Sequence, residues 1–251
     1  MHDSIERLVD LSGRVAIVTG GSRGLGRAMA LGFARAGAAV VVASRKLDAC
    51  EEVAVEIRAA GGRALAHGVA GGAPVRVAAT VATFGRLDVV VNNAATVLDR
   101  SLDALTPDTF TGAFTTNLPG PMLLVRAAAP HLAAGGHGSV INISSIAAAR
   151  ATPTRYLYPP AKAALLQVTR SLAVQFAADN IRVNAIMPGT FRTDMVEKAY
   201  SADQLASTAE HTPLGRVAEP EEMVGPALFL ASDMSSFVTG TVLTVDGGAT
   251  L

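Results

Sequence analysis

Two side chains four positions apart, Tyr158 and Lys162 in the stretch RYLYPPAK, have the types and spacing for proton transfer. On a helix, that offset puts both on one face about one turn apart. A free phenol has a pKa of about 10 and is a poor acid or base near neutral pH. A neighbouring ammonium and the positive end of a helix both favour its ionised form. Pro159 and Pro160 are acceptable only in a helix's first turn, so Tyr158 is expected at that positive end. Tyr156 has Pro160 at the same offset and no such help. A Y-x-x-x-K match alone is common by chance, and its weight comes from its surroundings. Upstream, INISSIAAAR closes an apolar run with Ser144 and Ser145, and Ser145 lies thirteen positions before Tyr158.

A second chemical feature is TGGSRGLG, Thr19 to Gly26, between the first apolar run and the first helical pattern. Glycines there let a backbone turn tightly and approach a pyrophosphate at a helix N-terminus. The pattern is T-G-x-x-x-G-x-G, with Gly20, Gly24 and Gly26 at the fixed places. At the end of the second strand, a carboxylate would bind the ribose hydroxyls of NAD, and an arginine the 2′-phosphate of NADP. This chain has Ser44, Arg45 and Lys46 there, and Arg23 inside the glycine loop. The nearest acid, Asp48, falls past the strand. A guanidinium grips a phosphate with paired hydrogen bonds, so NADP(H) is the expected cofactor and NAD(H) the alternative.

The elements that must hold these residues follow from the hydrophobic pattern. Apolar runs at Arg14 to Thr19 and Ala38 to Ser44, and in RALAHGV, LDVVVNNA, GSVINISS, IRVNAIMPG and TVLTVDGG, read as about seven strands. Most are apolar throughout, as in strands covered on both faces. Helical windows lie between them: Leu25 to Ala36, Asp48 to Ala60, Pro74 to Phe84, Pro107 to Ala134, Pro159 to Ala178 and Glu219 to Ala231. Their alternation predicts one α/β domain over 1–251, a doubly wound parallel sheet of the Rossmann type. Residues 1–10 are an N-terminal extension. Thr190 to Arg216, long, polar and without a strand signal, is expected to be a functional loop acting as a lid.

The chain has 251 residues, half of them apolar, with 21 basic and 21 acidic side chains. That balance gives no sign of nucleic-acid binding. The lone Cys50 excludes an internal disulfide framework and fits a reducing compartment, the cytoplasm, and reads as a packed small residue. The charged start MHDSIERLVD lacks the apolar core of a signal peptide, and no apolar run is long enough to span a bilayer. The histidines show no metal spacing, so no metal is expected. Arg192 in the lid is either a solvated charge or a contact for an anionic substrate group.

The glycine loop, the strand-end serine and the tyrosine–lysine pair, in that order, resemble the short-chain dehydrogenase/reductase family over essentially the whole chain. NNAA from Asn92, Asn117 in TTNLPGP, MPGTFRTDM, TPLGRVAEPEEM and FVTGTVLTVDGG carry the same resemblance. The glucose and gluconate dehydrogenases and 3-oxoacyl-thioester reductases look closest. The resemblance implies an oxidoreductase that interconverts a ketone and a secondary alcohol. Tyr158 would exchange the proton, Lys162 would lower its pKa and hold the nicotinamide ribose, Ser145 would hold the substrate oxygen, and the Asn117 backbone would carry a water. Gly20, Ser22, Arg23, Gly24, Leu25 and Gly26 would wrap the pyrophosphate and adenosine. Asn93, Ala94 and Ala95 would line the adenine ribose, and Gly68 and Val69 the adenine. Pro188, Gly189, Phe191 and Thr193 would pack beside the nicotinamide.

Three departures stand out. Gly68 occupies the usual place of an aspartate that binds the adenine amine. Pro159 and Pro160 follow the tyrosine, where small or polar residues are usual. Pro119, two places after Asn117, is expected to deepen a kink in a continuous helix. The first two motivate a rival reading, a cofactor-binding protein without turnover; another is an NAD-dependent alcohol or polyol dehydrogenase. In the helix from Pro159, Ala161, Leu165, Val168, Leu172 and Phe176 form one apolar stripe, and Ala163, Leu166, Ala173, Val174 and Ala177 a second. The helix through Met122 to Ala129 is also apolar. A helix apolar on two sides is covered on two sides, which predicts a homo-oligomer, with the family's tetramer favoured over a dimer. The expected small-molecule partner is a carbonyl or alcohol substrate.

Overall fold

A computed structural model describes residues 2–68, 72–98, 101–151 and 155–251, with backbone alone for 2–5. Seven parallel strands among these residues form one sheet in the order β3-β2-β1-β4-β5-β6-β7. They are β1 Val15–Thr19, β2 Ala39–Ser44, β3 Arg63–Gly68, β4 Val89–Asn92, β5 Gly138–Ile143, β6 Ile181–Pro188 and β7 Val242–Val245. The order reverses between β1 and β4, so β1 and β4 flank a crevice at their carboxyl ends. Residues 69–71, including the Val69 assigned to the adenine, lie outside the described residues.

The all-apolar strands are explained by two cores. Ala16, Val18, Val40, Val42, Val91, Ile141 and Ile186 face one layer, where Met29, Phe33, Met223 and Leu230 cover them. Ile17, Val41, Val90, Val140 and Val183 face the other, covered by Val77, Leu124, Val125, Ala128 and Leu132. Side chains alternate between faces along a strand, so a strand buried on both sides shows no polar–apolar alternation.

The helices are α1 His2–Val9, α2 Gly24–Arg35, α3 Leu47–Ala59, α4 Gly72–Phe84, α5 Pro107–Asn117, α6 Pro119–Gly135, α7 Tyr158–Gln175, α8 Asp194–Ala199, α9 Ala202–Glu210 and α10 Val224–Ala231. Two expectations need correction. The window Pro107 to Ala134 is two helices, not one kinked helix. Leu118 takes φ −131° and ψ −66° between them, and Pro119 begins the second, where its missing N–H costs nothing. The loop expected over Thr190 to Arg216 holds two short helices. Thr193 and Ser201 cap them, their hydroxyls accepting from Val196 and Gln204 N–H groups. Their polar, few-turn sequences carry too weak a periodic signal to be read.

Candidate active site

Thr19, Gly20 and Asn93 hold the glycine loop shut against the segment after β4. The Thr19 hydroxyl donates to the Val91 carbonyl at 3.0 Å and accepts from the N–H groups of Asn93 (2.9 Å) and Ala94 (3.1 Å). Asn93 Nδ2 donates to the carbonyls of Thr19 (2.9 Å) and Gly20 (3.3 Å). A Cβ at Gly26 would stand 2.2 Å from the Gly20 oxygen, and one at Gly20 would stand 2.8 Å from Asn93 Nδ2. Gly20 also has φ +65° and Gly24 φ +51°, a region that side-chain-bearing residues rarely enter. Beyond the loop, α2 starts at Gly24 with no side-chain cap and no acid in its first turn. Free N–H groups at a positive helix end favour an anion.

At the end of β2 the Ser44 hydroxyl is turned into its own loop. It donates to the Lys46 carbonyl (3.2 Å), accepts from the Lys46 N–H (3.3 Å) and meets Cys50 Sγ at 3.0 Å. Arg23, Arg45 and Lys46 are exposed. None of the three has an ion-pair partner among the described residues. Gly68, opposite Ser44 in the β2–β3 register, opens onto space; a Cβ there would meet only Leu47, at 4.0 Å. The residues present therefore fit a dinucleotide: a backbone cradle that Cβ atoms would fill, a bare helix start and unpaired cations beyond it.

The catalytic candidates come together around the end of β5. Ser145 follows the strand in extended conformation, and its Oγ accepts from the Ala147 N–H at 3.2 Å. Tyr158 opens α7, with the two prolines in the first turn as the chain's chemistry requires. Lys162 is 2% exposed, and its Nζ lies 5.7 Å from the Tyr158 ring centre. Nζ donates to the Ile143 carbonyl at 2.7 Å, while the Ser144 hydroxyl donates to the Lys162 carbonyl at 3.0 Å. Burial pulls the Lys162 ammonium down from 10.5 to about 8. Asn117 is fully buried; its side chain accepts from the Thr96 N–H and donates to the Thr96 and Ala113 carbonyls, tying α5 to the segment after β4.

The remaining predicted residues fall as follows. Ser22 and Leu25 are half-buried in the loop, and Leu25 packs against the core. Ala95 is half-buried beside Ala94. Pro188 ends β6, and a Cβ at Gly189 would stand 2.7 Å from the Asp246 Cα, so the backbone closes tightly there. Thr193 sits against the glycine loop, its Cγ2 3.2 Å from the point where a Gly24 Cβ would be. Phe191 is 3% exposed and belongs to the core layer that Met29 and Phe33 form over the sheet. Among the described residues no cluster of metal-binding side chains occurs.

Sequence reading missed the polar chain that sets α7 on the sheet. Asn92 Nδ2 donates to Asn142 Oδ1 (2.9 Å), Asn142 Nδ2 to the Thr169 hydroxyl (2.9 Å), and that hydroxyl to the Leu165 carbonyl. All three side chains are buried. Polar residues inside otherwise apolar strands were the available signal.

A parallel sheet with a glycine-cradled crevice and a buried lysine beside a helix-start tyrosine defines a nucleotide-linked oxidoreductase. A family model described as enoyl-(acyl carrier protein) reductase matches residues 20–250. The chain is 42% identical to an uncharacterised oxidoreductase of Mycobacterium tuberculosis, over 96% of this chain and 93% of that protein. It is 39% identical to an L-rhamnose 1-dehydrogenase (NAD(P)+) of Azotobacter vinelandii, over 94% and 96%. The crystal structure of a gluconate 5-dehydrogenase from Burkholderia cenocepacia, in complex with NADP and tartrate, superposes with a TM-score of 0.91 at 34% identity, covering 98% of each chain. The chain belongs to the short-chain dehydrogenase/reductase family and is an oxidoreductase acting on CH–OH groups.

Proposed function

We propose that the chain interconverts a ketone and a secondary alcohol with NADP(H), and that Tyr158 is its acid–base group. The observation that carries this is the buried Lys162 ammonium 5.7 Å from the Tyr158 ring at the mouth of a dinucleotide cradle. The nicotinamide, when bound, supplies or accepts the hydride. Gly20, Ser22, Gly24 and Gly26 seat the pyrophosphate against the start of α2, with Asn93, Ala94 and Ala95 beside the ribose. Arg45, Lys46 and Arg23 meet the 2′-phosphate, and the absence of an acid at the end of β2 removes the usual partner of the NAD ribose. Ser145 orients the substrate oxygen and Tyr158 exchanges its proton with that oxygen. Lys162 favours the phenolate that must be regenerated in each cycle. Asn117 fixes the neighbouring backbone.

The names of the relatives support sugars and sugar acids as the substrate class, and residues 190–216, bearing α8 and α9, would cover them as a lid. The exposed apolar side chains Val174 on α7, Phe110 on α5 and Met122 and Leu123 on α6 support assembly through these helices, most simply as a tetramer. Of the second apolar stripe of α7, Ala173 is buried inside the subunit and Leu166 half-buried, while Ala163, Val174 and Ala177 are exposed. A soluble enzyme of the cytoplasm is the setting this reading assumes. The test is a panel of sugars, sugar acids and small ketones assayed by NADPH and NADH absorbance. Turnover with NADPH is expected for at least one polyhydroxylated member; tight NADPH binding with no turnover on any of them would instead support the cofactor-binding rival.

A further inference from the structure

We infer that Arg150 determines substrate specificity by receiving an anionic group, a carboxylate or sulfonate, carried by the substrate away from its reacting carbon. This rests on the oxidoreductase reading above. The connection from β5 to α7 begins with Ser145 and ends with Tyr158; between them it carries Arg150 and Arg155 and no acid. Arg150 is exposed, yet it is anchored. Its Nη1 donates to the Ala249 carbonyl at 3.1 Å, across the whole span from the catalytic connection to the chain's C-terminal turn. That turn is itself pressed on the exit of the lid. The Leu214 N–H donates to the Gly247 carbonyl at 3.1 Å, and a Cβ at Gly247 or Gly248 would run into Thr212 (2.7 Å) or Pro213 (2.9 Å).

The connection that carries Ser145 and the C-terminal turn therefore meet at Arg150, and that turn rests on the lid exit. The one acid of the turn does not cancel the charge. Asp246 Oδ1 accepts from the Gly248 N–H, and Oδ2 from the N–H and hydroxyl of Thr250. The other guanidinium N–H groups of Arg150 have no hydrogen-bond partner among the described residues. An arginine fixed at one nitrogen, with its other edge open, is oriented in advance for an oxyanion.

The test uses 4-oxocyclohexanecarboxylate and 4-oxocyclohexanecarboxamide, which differ only in charge at the distal group. NADPH oxidation is followed for the wild type, Arg150→Gln and Arg170→Gln, the last an exposed arginine on the outer side of α7. The wild type is expected to favour the carboxylate in kcat/KM by about tenfold. Arg150→Gln should bring that ratio to about one, Arg150→Lys should restore part of it, and Arg170→Gln should leave it intact. Binding of both compounds to the NADPH-loaded protein, read by NADPH fluorescence, gives the same comparison without turnover. No carboxylate preference, a preference that survives Arg150→Gln, or no binding of either compound overturns the inference. Hydride transfer absent from charged and neutral ketones alike, with carboxylate binding still dependent on Arg150, would tell against the proposed NADPH-dependent ketone reduction and spare this inference.

Discussion

Replacing Lys162 with methionine should change how stability depends on pH. Burial lowers the ammonium from 10.5 to about 8, a displacement worth about 3 kcal/mol. Near pH 7 the lysine is charged both folded and unfolded, so the folded protein bears nearly the whole penalty. As pH rises through 8, the folded lysine loses its proton while the unfolded one keeps it until about 10.5. Over that window the unfolded state binds more protons, so wild-type stability gains with pH. Methionine does not titrate; it leaves the Ile143 carbonyl without its donor, a cost of about 1–2 kcal/mol that is the same at every pH. Urea unfolding of the cofactor-free proteins, at one fixed protein concentration, gives the difference directly, and other titrating groups cancel in it. Between about pH 7 and pH 10 that difference should shift by about 2–3 kcal/mol in favour of the wild type. A difference that stays flat over this range would show that Lys162 is not held as a costly buried cation.

Arg45→Ala should lower the preference for NADPH over NADH by about tenfold in kcat/KM, because one charged phosphate contact is lost; an unchanged ratio refutes the cofactor assignment. Arg76, on the inner face of α4, is 7% exposed, and its Nε has no hydrogen-bond partner among the described residues. Desolvation lowers its pKa, so Arg76→Met should raise stability by about 1–2 kcal/mol in urea unfolding, and a clear loss would mean that the cation has a partner when folded. Light scattering should give the mass of four chains, and Val174→Glu should reduce it; a monomer at micromolar concentration contradicts the assembly.

The sheet was legible because parallel strands covered on both faces are apolar over most of their length, and such runs as Val40-Val41-Val42 cannot be solvated helix. The tyrosine–lysine pair was legible because its geometry is local, one helical turn set by the prolines beside it. What could not be read depends on contacts distant in sequence. Beside the break at Leu118, the Asn117 side chain bonds to Thr96, 21 residues away, a contact that no local pattern announces. The burial of Phe191 depends on a core cluster drawn from several elements, and its place beside a proline–glycine pair gave no sign of it. The Asn92–Asn142–Thr169 chain joins three elements, and only the pairing of β4 with β5 reveals it.

The most direct measurement is the turnover of Tyr158→Phe beside its affinity for NADPH. The phenyl ring keeps the aromatic body of the side chain and removes the hydroxyl that carries the exchangeable proton. NADPH should bind as tightly as in the wild type, while kcat falls by about a thousandfold or more. A variant that binds NADPH and still reduces its ketone at more than about a tenth of the wild-type rate would contradict the role given to this phenol.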